Sequence, residues 1–92
     1  MDREIFLKLV FKHYNRAKKS GAFDLKRLNK ALGIALSEKK LRQAIETYHS
    51  TVNFCRCPDA INRGSTCKHR IACMILARVY QDAQKLWLNI DL

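Results

Sequence analysis

Four cysteines fall within nineteen residues of this chain, Cys55, Cys57, Cys67 and Cys73, and one histidine, His69, stands among them. The spacing is C-x-C, nine residues, then C-x-H. Alternate residues of an extended chain point to the same side, so Cys55 and Cys57 can present two thiolates to one point. Cys67 at the mouth of a helix and His69 in its first turn can supply two more ligands. Three thiolates and an imidazole make a closed tetrahedral set of the structural-zinc kind, with Zn–S of about 2.3 Å and Zn–N of about 2.0–2.1 Å. Soft sulfur donors favour zinc over magnesium, calcium or manganese. Cys73 is a fifth candidate: it follows His69 by four residues and shares its helical face, so it can replace one of the four. Free cysteine is also among the most buried residue types, and the preferred assignment places Cys73 in the core. A redox pair would account for C-x-C but not for Cys67 and His69.

The elements that must position these ligands read as helices. Ile5, Phe6, Leu9, Val10, His13 and Ala17 form one stripe in Asp2–Ser20, and Gly21 follows as a C-terminal cap. Asp24 caps a second helix with Leu25, Leu28, Ala31 and Leu32 inward, which Gly33 ends or turns. Ser37 caps a third, with Leu41, Ala44, Ile45 and Tyr48 inward. These two short helices outline a helix-turn-helix, although the turn reads longer than the usual three or four residues, and two packed helices with a charged exterior fit the same residues. Thr51, Val52 and Phe54 favour extended chain, and Pro58, Asp59, Asn62, Gly64 and Ser65 mark a loop. Ala72, Ile75, Leu76, Val79 and Ala83 then predict a long final helix, roughly Lys68 to Leu88, with Tyr80 and Trp87 as its large packing residues. The expected fold is mostly α: a small helical domain over residues 1–92, with a basic helical part (1–49), a zinc-stabilised loop with a possible short β-hairpin (50–77) and a long C-terminal helix (68–88).

Charge narrows the partner. Eighteen Lys and Arg against eight Asp and Glu leave +10, and the stretch Lys8–Arg42 holds eleven basic residues against two acidic ones. Such a field favours a polyanion, DNA or another nucleic acid. The candidate contacts are Lys8, Lys12, Arg16, Lys19, Lys39, Lys40, Arg42 and Gln43, with Arg56, Lys68 and Arg70 around the thiols. No apolar run approaches the roughly 18–20 residues that cross a bilayer. The acidic and basic residues Asp2, Arg3 and Glu4 argue against a signal peptide, so an intracellular protein without membrane partner is expected. The acids are scattered, there is no Gly-rich phosphate loop, and a closed zinc shell has no open position; catalysis and a small-molecule substrate are not expected.

The run Phe54-Cys55-Arg56-Cys57-Pro58 … Thr66-Cys67-Lys68-His69-Arg70-Ile71-Ala72 resembles the SWIM-type zinc finger, CxC then CxH, extended to the CxHxxA of SWIM proteins of the recombination-mediator type. The resemblance covers about residues 48–77. It implies a zinc-stabilised module that binds DNA or proteins, so two functions are carried forward. One is a DNA-binding protein with a structural Cys₃His zinc site. The other is a zinc-stabilised adaptor for a protein partner such as a recombinase-like protein, docking through Met74, Tyr80 or Trp87. Many SWIM modules carry a β-hairpin before the first cysteine; here that segment reads as helix to about His49.

Overall fold

Helix α1 (Arg3–Ser20) starts where the Asp2 carboxylate accepts a hydrogen bond from the Glu4 N–H at 3.0 Å and stops at Gly21, whose φ of 68° is left-handed. The computed structural model describes residues 2–63 and 66–90, and all of their side chains except those of 63 and 86–90. Helix α2 (Leu25–Ala35) is capped by Asp24, which accepts from the Arg27 N–H at 3.1 Å. It does not end at Gly33. It continues for two residues because doing so buries Ile34 and Ala35 beside Leu28 and Ala31, which offsets the roughly 1 kcal/mol that glycine costs in a helix. Leu25, expected inward, is 51% exposed.

Only Leu36 and Ser37 separate α2 from α3 (Glu38–Tyr48), a shorter turn than expected. Ser37 caps α3 by accepting from the Lys40 N–H at 3.3 Å. Ala44 alone is fully buried on α3; Leu41 and Tyr48 are half-buried, and Ile45 is 48% exposed and lies off the inward stripe. His49 ends the helix in the left-handed region at φ 52° and swings the chain back beneath it.

The expected hairpin does not form, and no strand occurs among the described residues. The backbone bonds a hairpin would use go elsewhere. Thr51 N–H donates to the Phe54 carbonyl at 2.7 Å, and Arg56 N–H donates to the Tyr48 carbonyl at 2.8 Å, tying the segment to the end of α3. The expected loop at Pro58 is instead a short helix, α4 (Pro58–Arg63), with proline at the first position, where its missing N–H costs nothing. The long helix α5 (Lys68–Ile90) follows. Among the described residues no helix is long and apolar enough to cross a membrane.

The main core is the seam between α2 and α5, with α1 laid across both. Val10, Leu28, Ala31, Ile34 and Ala35 meet Ile71, Ala72, Ile75, Leu76 and Val79. Tyr80 falls one residue beyond that stripe and is 57% exposed, so it is not a packing residue; the Trp87 side chain lies outside those described. Cys73 is half-buried at the margin of the core. One polar contact locks α1 to α5: His13 Nε2–H donates to Asp82 Oδ2 at 2.7 Å, and Lys12 Nζ donates to the same oxygen at 3.1 Å. His13 and then Lys12 hold the Asp82 carboxyl below the usual carboxylate range.

Two outcomes follow from this packing. Leu28→Ala, at a site 1% exposed, removes about 2–5 kcal/mol of unfolding free energy, measurable by urea denaturation. Asp82→Asn lowers the melting temperature at neutral pH. Because the folded-state pKa of Asp82 is depressed, its contribution is present above about pH 4 and lost as pH falls through the folded value. The difference between the two proteins in a thermal melt series therefore closes in acid.

Candidate metal centre

Three separate segments deliver the four ligands. Cys55 comes from the irregular chain after α3. Cys57 is the residue before α4, its carbonyl accepting from the Ile61 N–H at 3.1 Å, and Cys67 stands before α5 in the same way, its carbonyl accepting from the Ile71 N–H at 3.1 Å. His69 lies in the first turn of α5. The three Sγ atoms and one ring nitrogen lie within 4.8 Å of one another, and Cys55 Sγ is 3.7 Å from His69 Nδ1. A tetrahedral ion with metal–sulfur bonds of about 2.3 Å sets sulfur–sulfur edges of about 3.8 Å, so the cluster needs only a small contraction to close on one ion. The group can hold one metal ion. Cys73 is not a member of this group, as the preferred assignment expected.

The electrostatics suit a cation. Burial, together with the neighbouring thiols of Cys57 and Cys55, pushes Cys67 up to about 12, against a hydrogen bond from the Arg70 N–H that favours its thiolate. Cys55 goes the other way. Burial opposes its ionisation, but hydrogen bonds from Ser50, the Cys57 N–H and the other thiols bring it below the usual thiol value. One thiolate thus forms at the expense of its neighbours, and a bound cation removes that competition by stabilising all three. Burial first, and then the charge of Lys68, lowers the His69 pKa and keeps the imidazole neutral, as a ligand must be.

Contacts around the ligands hold them in place. The buried Ser50 hydroxyl is 3.2 Å from Cys55 Sγ and 3.1 Å from the Ala44 carbonyl. The Tyr48 ring lies 5.0 Å from the His69 ring. Arg27 on α2 grips Asp59 on α4 through two bonds of 2.8 Å, which fastens the short helix after Cys57 to the main core. Neither Arg27 nor Ser50 stands out in the sequence. No local signal identifies either, because Arg27 and its partner are thirty-two positions apart.

The expected nucleic-acid residues are divided among several elements. Lys8, Lys12, Arg16 and Lys19 lie on α1, while Lys39, Lys40, Arg42 and Gln43 lie on α3, and these two helices do not pack backbone to backbone. Several are engaged: Lys8 with Glu4 at 3.6 Å, Lys12 with Asp82 and Arg42 with Glu38 at 3.0 Å. Arg70 Nε donates to the Val52 carbonyl at 3.1 Å, so that part of its guanidinium braces the thiol loop. Arg56 lies over the half-exposed Phe54 ring at 5.8 Å. Arg16, Lys19, Lys39, Lys40 and Lys68 make no ion pair among the described residues.

Comparison with protein-family models, curated proteins and solved structures finds no match to this chain.

Cys57→Ser removes one of four ligands from a loop that has little else to bury. The expected result is loss of stoichiometric metal by mass spectrometry, together with loss of protection from hydrogen exchange across residues 50–77. A strong chelator acting on the unaltered protein gives the same exchange pattern. Unchanged exchange after verified metal removal would show that the metal has no structural role.

Proposed function

We propose that this chain is a small nucleic-acid-binding protein, with DNA as its partner and one structural Zn²⁺ held by Cys55, Cys57, Cys67 and His69 in a SWIM-like centre. Thiolate-rich donors on a tetrahedral scale favour zinc, and a closed four-ligand shell serves structure rather than catalysis. The protein is accordingly read as a binding protein and not an enzyme. Reduced thiols engaged with zinc suit an intracellular setting.

The observation that carries the nucleic-acid reading is the placement of α3. It buries only Ala44 completely and leaves Lys39, Lys40, Arg42 and Gln43 exposed. In a chain of net charge +10, an outlying helix with this face supports phosphate contact. The two-residue joint to α2 holds α3 firmly against the core, which favours a fixed surface over a swinging arm. The adaptor reading draws on exposed Tyr80 on α5; it becomes the better reading if nucleic acid fails to bind.

Fluorescence anisotropy of the zinc-loaded protein with single- and double-stranded DNA, at low and physiological salt, tests this. The expected result is binding that survives physiological salt and is abolished or strongly weakened in the Lys39→Ala/Arg42→Ala variant. The salt slope of log K is expected to fall by about two for duplex DNA. Binding only at low salt, equal for every polyanion, would overturn the reading.

A further inference from the structure

Lysines from three helices converge beside the metal centre. Lys30 on α2, Lys40 on α3 and Lys68 at the start of α5 line one cleft of about 610 Å³, together with Asn29, Gln43 and His69. None of the three lysines makes an ion pair among the described residues, and no carboxylate lines the cleft. Like charges gathered on a concave wall repel each other and focus a positive field into the space between them. Nothing in the fold's own packing requires that arrangement.

The second observation is the imidazole. His69 is only 9% exposed, and its Nδ1 edge faces Cys55 Sγ. The residue lines the cleft, and its other nitrogen, Nε2, is not among the buried polar atoms left without a partner, so it is open to the solvent there. With Nδ1 directed to the metal, Nε2 carries the ring proton and must donate it. A ligating histidine ordinarily gives that proton to a carboxylate, a carbonyl or water. Here no protein acceptor is in place among the described residues and the cleft is open to solvent, so the proton faces water that an anion drawn in by the lysines can displace.

We infer that this cleft binds a phosphate group, with Lys30, Lys40 and Lys68 neutralising its charge and the His69 Nε2–H donating to one of its oxygens. Asn29 and Gln43 offer further amide donors at the rim. A neighbouring groove of about 530 Å³ shares Lys30 and Lys68 but is also lined by the carboxylates of Asp24 and Asp59, so the positive field is confined to the first cleft. The inference rests on the metal-centre reading for the tautomer of His69, and it extends the nucleic-acid reading from the outer face of α3 to its inner edge. The phosphate can come from a nucleic-acid backbone or from a free phosphate.

The test is nuclear magnetic resonance of the zinc-loaded, nitrogen-15-labelled protein, following the His69 ring nitrogens and the Lys68 amide. Two probes are titrated at matched ionic strength: inorganic phosphate, and a short single-stranded DNA without terminal phosphates. The expected result is a saturable shift of both signals with the DNA. The shift is lost in the Lys30→Gln/Lys40→Gln variant, whose zinc content and helical circular dichroism stay unchanged. A shift with inorganic phosphate alone keeps the cleft, assigns it to free phosphate and removes the nucleic-acid reading. If the DNA binds by anisotropy while neither signal moves, the cleft inference falls and the nucleic-acid reading survives. A shift that persists in the variant overturns the lysine assignment, and silence from both probes without DNA binding overturns both readings.

Discussion

The stretch between α3 and α5 leaves its large apolar residues Phe54 and Ile61 exposed and so folds with little hydrophobic burial. Among its described residues, Cys55, Cys57, Cys67 and Ser50 are buried, with Tyr48 of α3 and Ala60 partly buried against the thiols. Thiols are weak hydrogen-bonding groups, and three of them at one point compete for ionisation. A cation reverses both handicaps, since it binds thiolates directly and cancels their mutual repulsion. The energy of closing that site is then folding energy for the whole stretch. A chain of this size has a thin core, and a second centre of this kind supplements it where hydrophobic burial runs out.

Helix α5 connects the two centres. Its first turn carries His69 and follows Cys67, and the next turns carry Ile71, Ala72, Ile75, Leu76 and Val79 into the seam with α2. A displacement of the ligands therefore moves the start of the main core, and the reverse also holds. The Arg27–Asp59 pair makes the same connection from the other side, because α2 packs on α5 while gripping the helix that follows Cys57. Both partners of this pair are partly exposed. Its value lies in the fixed fork geometry of the guanidinium more than in net charge energy.

Charge is distributed according to what each helix does. On α1 the basic residues partly pair with Glu4 and Asp82, and Arg70 braces the thiol loop. Three lysines without ion pairs, Lys30, Lys40 and Lys68, meet where α2, α3 and the start of α5 come together, at the edge of the metal centre. Three thiolates around a dication leave one net negative charge, so a single lysine would balance the site. Lys30, Lys40 and Lys68 exceed that need, and the excess points to an external anion.

Much of the architecture was legible in local pattern. The caps Asp24, Ser37 and Gly21, the apolar period of α1 and α5, and the four clustered ligands can all be read from neighbours a few positions apart, because helix periodicity and ligand spacing are local properties. Where local rules misled, long-range burial had overridden them. Gly33 continues a helix because Ile34 and Ala35 are buried beyond it, and Pro58 begins one because Cys57 must turn toward the site. Tyr80 is exposed although its helix packs, since the seam selects one stripe. The sequence by itself determined α1, α2, α3 and α5, the donor set and the excess of positive charge, but not the short helix α4. The tertiary structure alone decided which side chains meet across the chain: His13 with Asp82, Arg27 with Asp59, and Lys30, Lys40 and Lys68 around His69. No pattern of neighbours encodes those meetings, because they depend on how α1, α2, α3 and α5 bury their apolar faces against one another.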